Sequence, residues 1–301
     1  MKRSLIRFCR LVYFLFGYRF FVPVDVIGVL VASERDFNPK LSSGFHVRGL
    51  FYGLLKSADP QLASRIHDFR GLAPFSVSPI LKLYPGAYYL KMTSFMTRLT
   101  DALLEALKKS EELVIGGRRF LVTELTYSRI DTDKLLTEAE AYTRYELEFI
   151  SPTCFRRPCP YIPLHTLGIF ARIMGVMKQP KSTYRYYPLP DPILMLRNLK
   201  RQWEQYTGTT IRSKRFTRWL EEGGVALSGV NGIKTHRFTH RRRKIFAVGF
   251  TGKARISLPE NTFRREEAKI VNALLKLGEK TQVGVNRTAG FGLYKILKTR
   301  D

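Results

Sequence analysis

The order of apolar and polar positions predicts alternating strands and helices in the first half of the chain. Residues 20–31 form a β-branched, apolar run typical of a buried strand. Residues 45–56 carry apolar side chains at helical spacing, and a second helix is expected to begin after Asp59 as N-cap with Pro60 next. Strands are predicted at 75–83 and 87–93, a helix at 98–109, and a hairpin of strands 113–115 and 120–126 around Gly116 and Gly117.

A similar order recurs in the second half. A strand is predicted at 145–150, a helix after the N-cap Asp191, a strand pair at 244–250 and 253–258, a helix at 265–277 ended by Gly278, and a last strand at 293–297. In the second strand of the pair, Lys253 and Arg255 alternate with apolar residues and should face solvent. Two βαββαβ units in series predict an α+β fold of two tandem ferredoxin-like, RRM-like domains. We expect domains at 1–138, with 1–18 as an N-terminal extension, and at 139–301.

Charge separates the two halves. The chain has 51 Lys and Arg against 25 Asp and Glu, a formal charge of +26. Residues 1–150 carry 21 basic and 16 acidic side chains, whereas residues 151–301 carry 30 and 9. Such an excess within folded sequence indicates a polyanionic partner, because Lys and Arg displace counterions from nucleic-acid phosphates. An anionic membrane surface is the competing explanation.

The N-terminal segment and the cysteines argue against a membrane protein. Residues 11–32 are largely apolar, but Arg19 and Asp25 would each cost about 2.5–3.5 kcal/mol at a bilayer centre. The chain has three cysteines, too few for a disulfide framework, and their odd number is typical of a reducing cytoplasm. We therefore expect a cytoplasmic protein without membrane association.

No metal or other cofactor is expected. Cys154, Cys159 and His165 have loose spacing and no evident fourth ligand. His236 and His240 are four residues apart, which aligns two ligands only on a helix, whereas residues 237–250 have the pattern of extended chain.

A glycine-rich segment follows the last predicted helix. It runs from Gly284 through Arg287 and Gly290 to Gly292. It is neither a Walker loop nor a dinucleotide-binding loop, because the order is helix, loop, strand rather than strand, loop, helix. Glycines let a backbone approach phosphate oxygens, so Gly284, Arg287, Gly290 and Gly292 are candidate phosphate contacts; a tight turn is the simpler alternative.

Four segments together resemble the CRISPR-associated repeat-processing endoribonucleases, the Cas-six family. They are the G-x5-G-F-G segment at 284–292, residues 46–75, the Ser-Pro-Thr corner within 146–156, and FTGKARISL at 250–258. The resemblance implies tandem ferredoxin-like domains and binding of CRISPR repeat RNA, with other CRISPR effector subunits as further partners. It also implies cleavage of the precursor transcript without a metal, by attack of a 2′-hydroxyl that leaves 2′,3′-cyclic phosphate and 5′-hydroxyl ends.

The same resemblance points to the catalytic residues. His67 falls where the family has its histidine, and an imidazole suits proton transfer near neutral pH. Tyr52, on the preceding helix, falls where the family often has a tyrosine, with a tyrosine at the edge of the core as the alternative. Some relatives add a lysine where this chain has Ala73, so Arg70 is the candidate for charge on the phosphorane, although arginine is too basic to act as an acid.

Basic residues of the second half complete the expected RNA contacts. They are Arg237, the run Arg241, Arg242, Arg243 and Lys244, and the strand residues Lys253 and Arg255. Because the family lysine is absent, a non-catalytic relative that holds guide RNA in an effector complex remains the alternative function. A basic membrane-surface protein is a third hypothesis, but it leaves the glycine segment without a purpose.

Overall fold

The computed structural model describes residues 23–158, 184–208, 210–211, 213–240 and 243–300. The first half contains, in chain order, β1 (Val24–Ala32), α1 (Gly44–Ala58), α2 (Pro60–His67), β2 (Phe75–Val77), β3 (Leu81–Tyr84), β4 (Ala87–Ser94), α3 (Thr97–Lys108), β5 (Glu112–Ile115) and β6 (Arg118–Ile130). Its antiparallel sheet has the order β2-β4-β1-β6-β5, with β3 also beside β4. Helices α1 and α3 cover one face, burying Val47, Phe51 and Leu103 against the strands.

The second half contains α4 (Thr132–Thr137), β7 (Arg144–Thr153), β8 (Phe155–Pro158), β9 (Tyr184–Tyr187), α5 (Pro192–Tyr206), α6 (Ser213–Glu221), β10 (Ala226–His240), β11 (Arg243–Ser257), α7 (Arg265–Thr281) and β12 (Tyr294–Arg300). Strands β10-β11-β7-β12 form one antiparallel sheet, and β8 pairs with β9 separately. Trp203 and Leu274 of the covering helices are fully buried. Both sheets have ferredoxin-like strand order, so the predicted fold class is confirmed.

Helices α2 and α5 begin at the predicted N-cap residues. The Asp59 carboxylate accepts from the Leu62 N–H at 2.9 Å, and that of Asp191 accepts from the Leu194 N–H at 2.9 Å. Each cap is followed by a proline, whose missing N–H costs nothing at the first helical position. The hairpin at Gly116 and Gly117 is also present, with positive φ at both residues.

Three predicted elements were wrong. Strands 244–250 and 253–258 are one continuous strand, because Gly252 (φ 123°) fits a bulge opposite Gly232 and does not end the strand. Gly278 lies inside α7, which continues to Thr281. There the absence of a Cβ makes room for the Tyr294 hydroxyl and the Leu199 side chain. The strand 75–83 is interrupted at 78–80, and helix α6 was not predicted.

The two halves are in direct contact. Lys91 Nζ donates to the carbonyl oxygen of Glu279 at 2.9 Å, and Thr93 Oγ1 donates to that of Lys280 at 2.9 Å. The predicted division near residue 138 would place α4 in the first domain, but Leu135 and Leu136 of α4 pack against the core of the second half. Within the described ranges, no helix combines the length and hydropathy needed to cross a bilayer.

Candidate active site

His67 and Tyr52 are brought together on the surface of the first half. Tyr52 lies on α1, and His67 is the last residue of α2. Their ring centroids are 5.6 Å apart with an interplanar angle of 70°. The His67 side chain is 74% exposed, and its Nδ1 lies 3.4 Å from Asp68 Oδ1. The pair therefore combines an accessible imidazole with an adjacent phenol.

The amphipathic pattern of α2 explains this placement. Leu62, Ala63 and Ile66 are buried on one face of the helix, so His67, which follows Ile66, lies on the solvent-exposed side. Tyr52 is half-buried and packs edge-on against Phe75, with ring centroids 5.9 Å apart. Burial raises the pKa of Tyr52, partly opposed by the charge of Arg48 one turn earlier. The phenol is therefore a proton-bearing donor at neutral pH.

Arg70 lies in the segment of residues 68–74 that joins α2 to β2, and it is exposed. The far end of this segment is held by the second half. The Leu72 carbonyl accepts from the Tyr206 hydroxyl, and the Ala73 carbonyl accepts from Arg287 Nη2 at 2.9 Å. The second half therefore contacts the segment of residues 68–74, which begins directly after His67 and contains Arg70.

The glycine-rich segment is used for close backbone packing, between the halves at Gly290 and within the second half at Gly284 and Gly292. Gly290 has a φ of 84°, and a Cβ there would lie 2.7 Å from the Gly44 Cα at the start of α1. A Cβ at Gly284 would overlap the carbonyl of Cys154, and one at Gly292 would overlap that of Val283. These three glycines are needed for close approach of backbone to backbone.

Their N–H groups already have partners within the protein. The N–H of Gly284 donates to Asn198 Oδ1 at 2.9 Å, that of Gly290 to the Arg287 carbonyl at 3.3 Å, and that of Gly292 to the Pro152 carbonyl at 3.0 Å. The expectation that these glycines offer their N–H groups to a phosphate is therefore corrected.

Arg287 also differs from the expectation. Its side chain is 4% exposed, and Nη1 donates to the Thr281 carbonyl at 3.0 Å. Burial lowers its pKa to about 10. A guanidinium enclosed in this way is directed at backbone carbonyls, so it is not a surface phosphate contact.

The basic hairpin of β10 and β11 reaches the start of α1. Arg237 is exposed on β10, Arg243 and Lys244 begin β11, and Arg241 and Arg242 lie outside the described residues. Near the tip, the Phe238 ring lies 5.3 Å from that of Phe291, which lies 5.9 Å from Phe45 on α1. These contacts bring the hairpin to the helix that carries Tyr52.

The open face of the second sheet is basic. Lys253 and Arg255 lie on this face, as the alternation predicts, while Ala254 and Ile256 are buried. A cavity of about 460 Å³ at one end is lined by Arg144, Tyr145, Glu146, Ser228, Arg255, Ser257, Lys298 and Arg300. Arg144, Lys298 and Arg300 were not predicted, although the alternation along β7 and β12 places them on one face.

Two of the residues that were considered as metal ligands, Cys154 and His236, have surroundings that the structure describes. Burial raises the pKa of the Cys154 thiol to about 11, and His236 Nε2 lies 2.8 Å from Thr251 Oγ1. Across the described ranges, no three or more His, Cys, Asp or Glu side chains form a group that could hold a metal ion. Cys159 and His165 lie outside these ranges.

The chain thus combines two tandem ferredoxin-like folds with an exposed histidine–tyrosine pair and a basic hairpin. Residues 147–294 match the family model of the CRISPR-associated endoribonuclease Cas6. The sequence similarity to this family therefore lies in the second half, and the fold of the whole chain is that of solved Cas6 structures.

Solved structures with this fold include several Cas6 proteins. A Cas6 product complex is 22% identical, with a TM-score of 0.70, covering 92% of this chain and 100% of that one. Thermus thermophilus Cas6 is 22% identical, with a TM-score of 0.65 and coverage of 91% and 98%. A Cas6-related protein from Pyrococcus furiosus is 13% identical, with a TM-score of 0.55 and coverage of 92% and 99%. No curated protein sequence matches the chain.

Proposed function

We propose that this protein cleaves CRISPR repeat RNA in a precursor transcript, without a metal, to give guide RNAs with 2′,3′-cyclic phosphate and 5′-hydroxyl ends. The observation that carries the proposal is the pairing of exposed His67 with Tyr52, with ring centroids 5.6 Å apart, in a chain whose residues 147–294 match an endoribonuclease family model. Complexes of related Cas6 proteins with product and with a substrate mimic support repeat RNA as the substrate.

The reaction needs three contributions from the protein. A base takes the proton from the 2′-hydroxyl, a donor assists the leaving 5′-oxygen, and positive charge stabilises the phosphorane. In the proposal, His67 accepts the 2′-proton as that oxygen attacks phosphorus, and the P–O5′ bond breaks as a proton from water reaches the leaving 5′-oxygen. Tyr52 keeps its proton because burial raises its pKa, so it donates a hydrogen bond that orients the ribose or assists the leaving oxygen. Arg70 supplies positive charge.

The charge distribution supports a path for the RNA. The hairpin that carries Arg237 reaches Phe45 through the contacts of Phe238 with Phe291 and of Phe291 with Phe45, and Tyr52 lies two turns further along α1. On the open sheet face, Lys253 and Arg255 continue the basic surface toward the cavity. We propose that RNA phosphates follow this surface and that the scissile bond lies at Tyr52 and His67.

The test is cleavage of labelled CRISPR repeat RNA in EDTA. We expect wild type and His46→Ala to cut all-ribose RNA, whereas His67→Ala does not, and no protein cuts RNA with a 2′-deoxy at the cut site. His46 is a matched control because it is another exposed histidine of the same half, beside Gly116.

Two outcomes would contradict the proposal. A requirement for magnesium would reject the 2′-hydroxyl mechanism, and equal cleavage by His67→Ala would remove the proton-transfer role. Tight binding of repeat RNA by a wild-type protein that does not cut it would favour a guide-RNA-binding subunit of an effector complex instead.

A further inference from the structure

The segment between α2 and β2 has no secondary structure of its own, yet three successive carbonyls in it are hydrogen-bonded. Leu72 accepts from the Tyr206 hydroxyl, Ala73 from Arg287 at 2.9 Å, and Pro74 from the Phe95 N–H at 2.9 Å. The first two donors belong to the second half. This segment begins directly after His67 and contains Arg70.

The hydrogen bond from Arg287 is unusual because its donor is a buried guanidinium, which costs free energy to enclose. Its guanidinium is enclosed between the Thr281 carbonyl, 3.0 Å from Nη1, and the Ala73 carbonyl, 2.9 Å from Nη2. Burying a cation requires compensation, and an apolar side chain of similar volume would fill the space without that cost. What the arginine adds is a rigid, two-pronged link between the end of α7 and residue 73.

The donor from Tyr206 is held equally firmly. Its ring stacks on Phe95, with centroids 4.6 Å apart and an interplanar angle of 18°. Burial raises the pKa of Tyr206 to about 12, so its hydroxyl retains its proton. The neighbouring Gln205 donates a further hydrogen bond from Nε2 to the Leu72 carbonyl at 3.4 Å.

The glycine-rich segment also contacts the other catalytic element. Gly290 lies against Gly44 at the first residue of α1, the helix of Tyr52. Arg287, three residues earlier, holds the segment that follows His67. One loop of the second half therefore fixes both chain segments that present the proposed catalytic groups.

From this juxtaposition we propose that Arg287 and Tyr206 are positioning residues, which clamp Leu72 and Ala73 so that His67 and Arg70 are held at the scissile phosphate. The proposal rests on the proposed function. The four residues from Asp68 to Gly71 lie between the end of α2 and the clamp, which limits how far Arg70 can move. Reacting groups displaced by roughly 1 Å can lose about 100-fold in rate, so release of the clamp should act on the chemical step.

The test compares Arg287→Met and Tyr206→Phe with wild type and with the controls Arg119→Met and Tyr84→Phe, which change exposed residues. Single-turnover cleavage, the Kd for repeat RNA, the Tm and hydrogen exchange of amides 68–72 are measured for each. We expect both clamp variants to cut at least about tenfold more slowly at saturating protein. Their Kd should stay within about threefold of wild type, and amides 68–72 should exchange faster. Both controls should behave as wild type.

The outcomes separate this proposal from the proposed function. Wild type that fails to cut RNA would refute the function, while exchange at 68–72 would still decide whether the clamp exists. Cleavage within threefold of wild type, with unchanged exchange, would overturn the clamp. Weakened RNA affinity with an unchanged rate at saturation would also overturn it and would make Arg287 an RNA ligand. If Arg287→Met does not fold, Tyr206→Phe, which removes one oxygen atom, gives the decision.

Discussion

Replacement of Lys91 by methionine tests the energetics of the contact between the two halves. Lys91 extends from β4 to the C-terminal end of α7, where its Nζ donates to the Glu279 carbonyl at 2.9 Å. Burial lowers the pKa of Lys91 from 10.5 to about 7, and the charge of Lys280 lowers it further. The protonated, charged form of Lys91 is therefore less favourable in the folded protein than in the unfolded chain.

The size and sign of the effect follow from linkage. Because the folded pKa lies below the unfolded one, the unfolded chain binds an additional proton between about pH 7 and 10.5. The stability of the folded protein therefore rises with pH in that window, by about 1.4 kcal/mol per pH unit. Below about pH 7, protonated Lys91 destabilises the folded protein by the full amount, about 5 kcal/mol. Replacement by methionine removes this destabilisation but also removes a charged hydrogen bond worth about 1.5–3 kcal/mol.

We therefore expect Lys91→Met to be more stable than wild type by about 2 kcal/mol near pH 7. Urea unfolding near pH 7 and near pH 9.5 measures the difference, which should change by about 3 kcal/mol in favour of wild type at the higher pH. Lys295→Met, an exposed control on β12, should show no such change. A Lys91→Met variant that is less stable near pH 7, or a difference independent of pH, would refute the argument.

Three further predictions concern the site and the loop. Tyr52→Phe should slow cleavage at least about tenfold with an unchanged Tm, and an unchanged rate would remove Tyr52 from the mechanism. Gly290→Ala, at a φ of 84° and with its Cβ 2.7 Å from the Gly44 Cα, should lower the free energy of unfolding by about 1–3 kcal/mol in a urea titration. Full stability would show that the loop can shift. Arg237→Ala should reduce the salt dependence of RNA binding by about one phosphate contact; an unchanged slope would place Arg237 off the RNA.

Local signals predicted the parts of the fold that local chemistry determines. Asp59 and Asp191 cap the helices that they were expected to start, because an N-cap needs only its own side chain and the next turn. Alternation placed Lys253 and Arg255 on the open face of β11. The order of such elements was sufficient to predict two ferredoxin-like units.

Tertiary contacts determine the features of the fold that the sequence alone did not predict. Gly278 suggested the end of a helix, but it lies in the interior of α7 because Leu199 and Tyr294 pack against it. Arg287 was expected to contact phosphate because it lies among glycines in a basic half. Only the fold shows that two carbonyls surround its guanidinium. The proximity of Tyr52 and His67 was expected from the family resemblance and could not be obtained from spacing alone.

The β10–β11 hairpin is longer than the sheet to which it belongs. Its last pairing with a third strand is Phe250 with Thr153, and beyond that point only the two strands pair, from His236 to His240. A two-stranded ribbon is marginally stable by itself, so its distal part depends on Phe238 packing against Phe291. Packing of side chains, rather than pairing with a third strand, thus positions the far part of this arm.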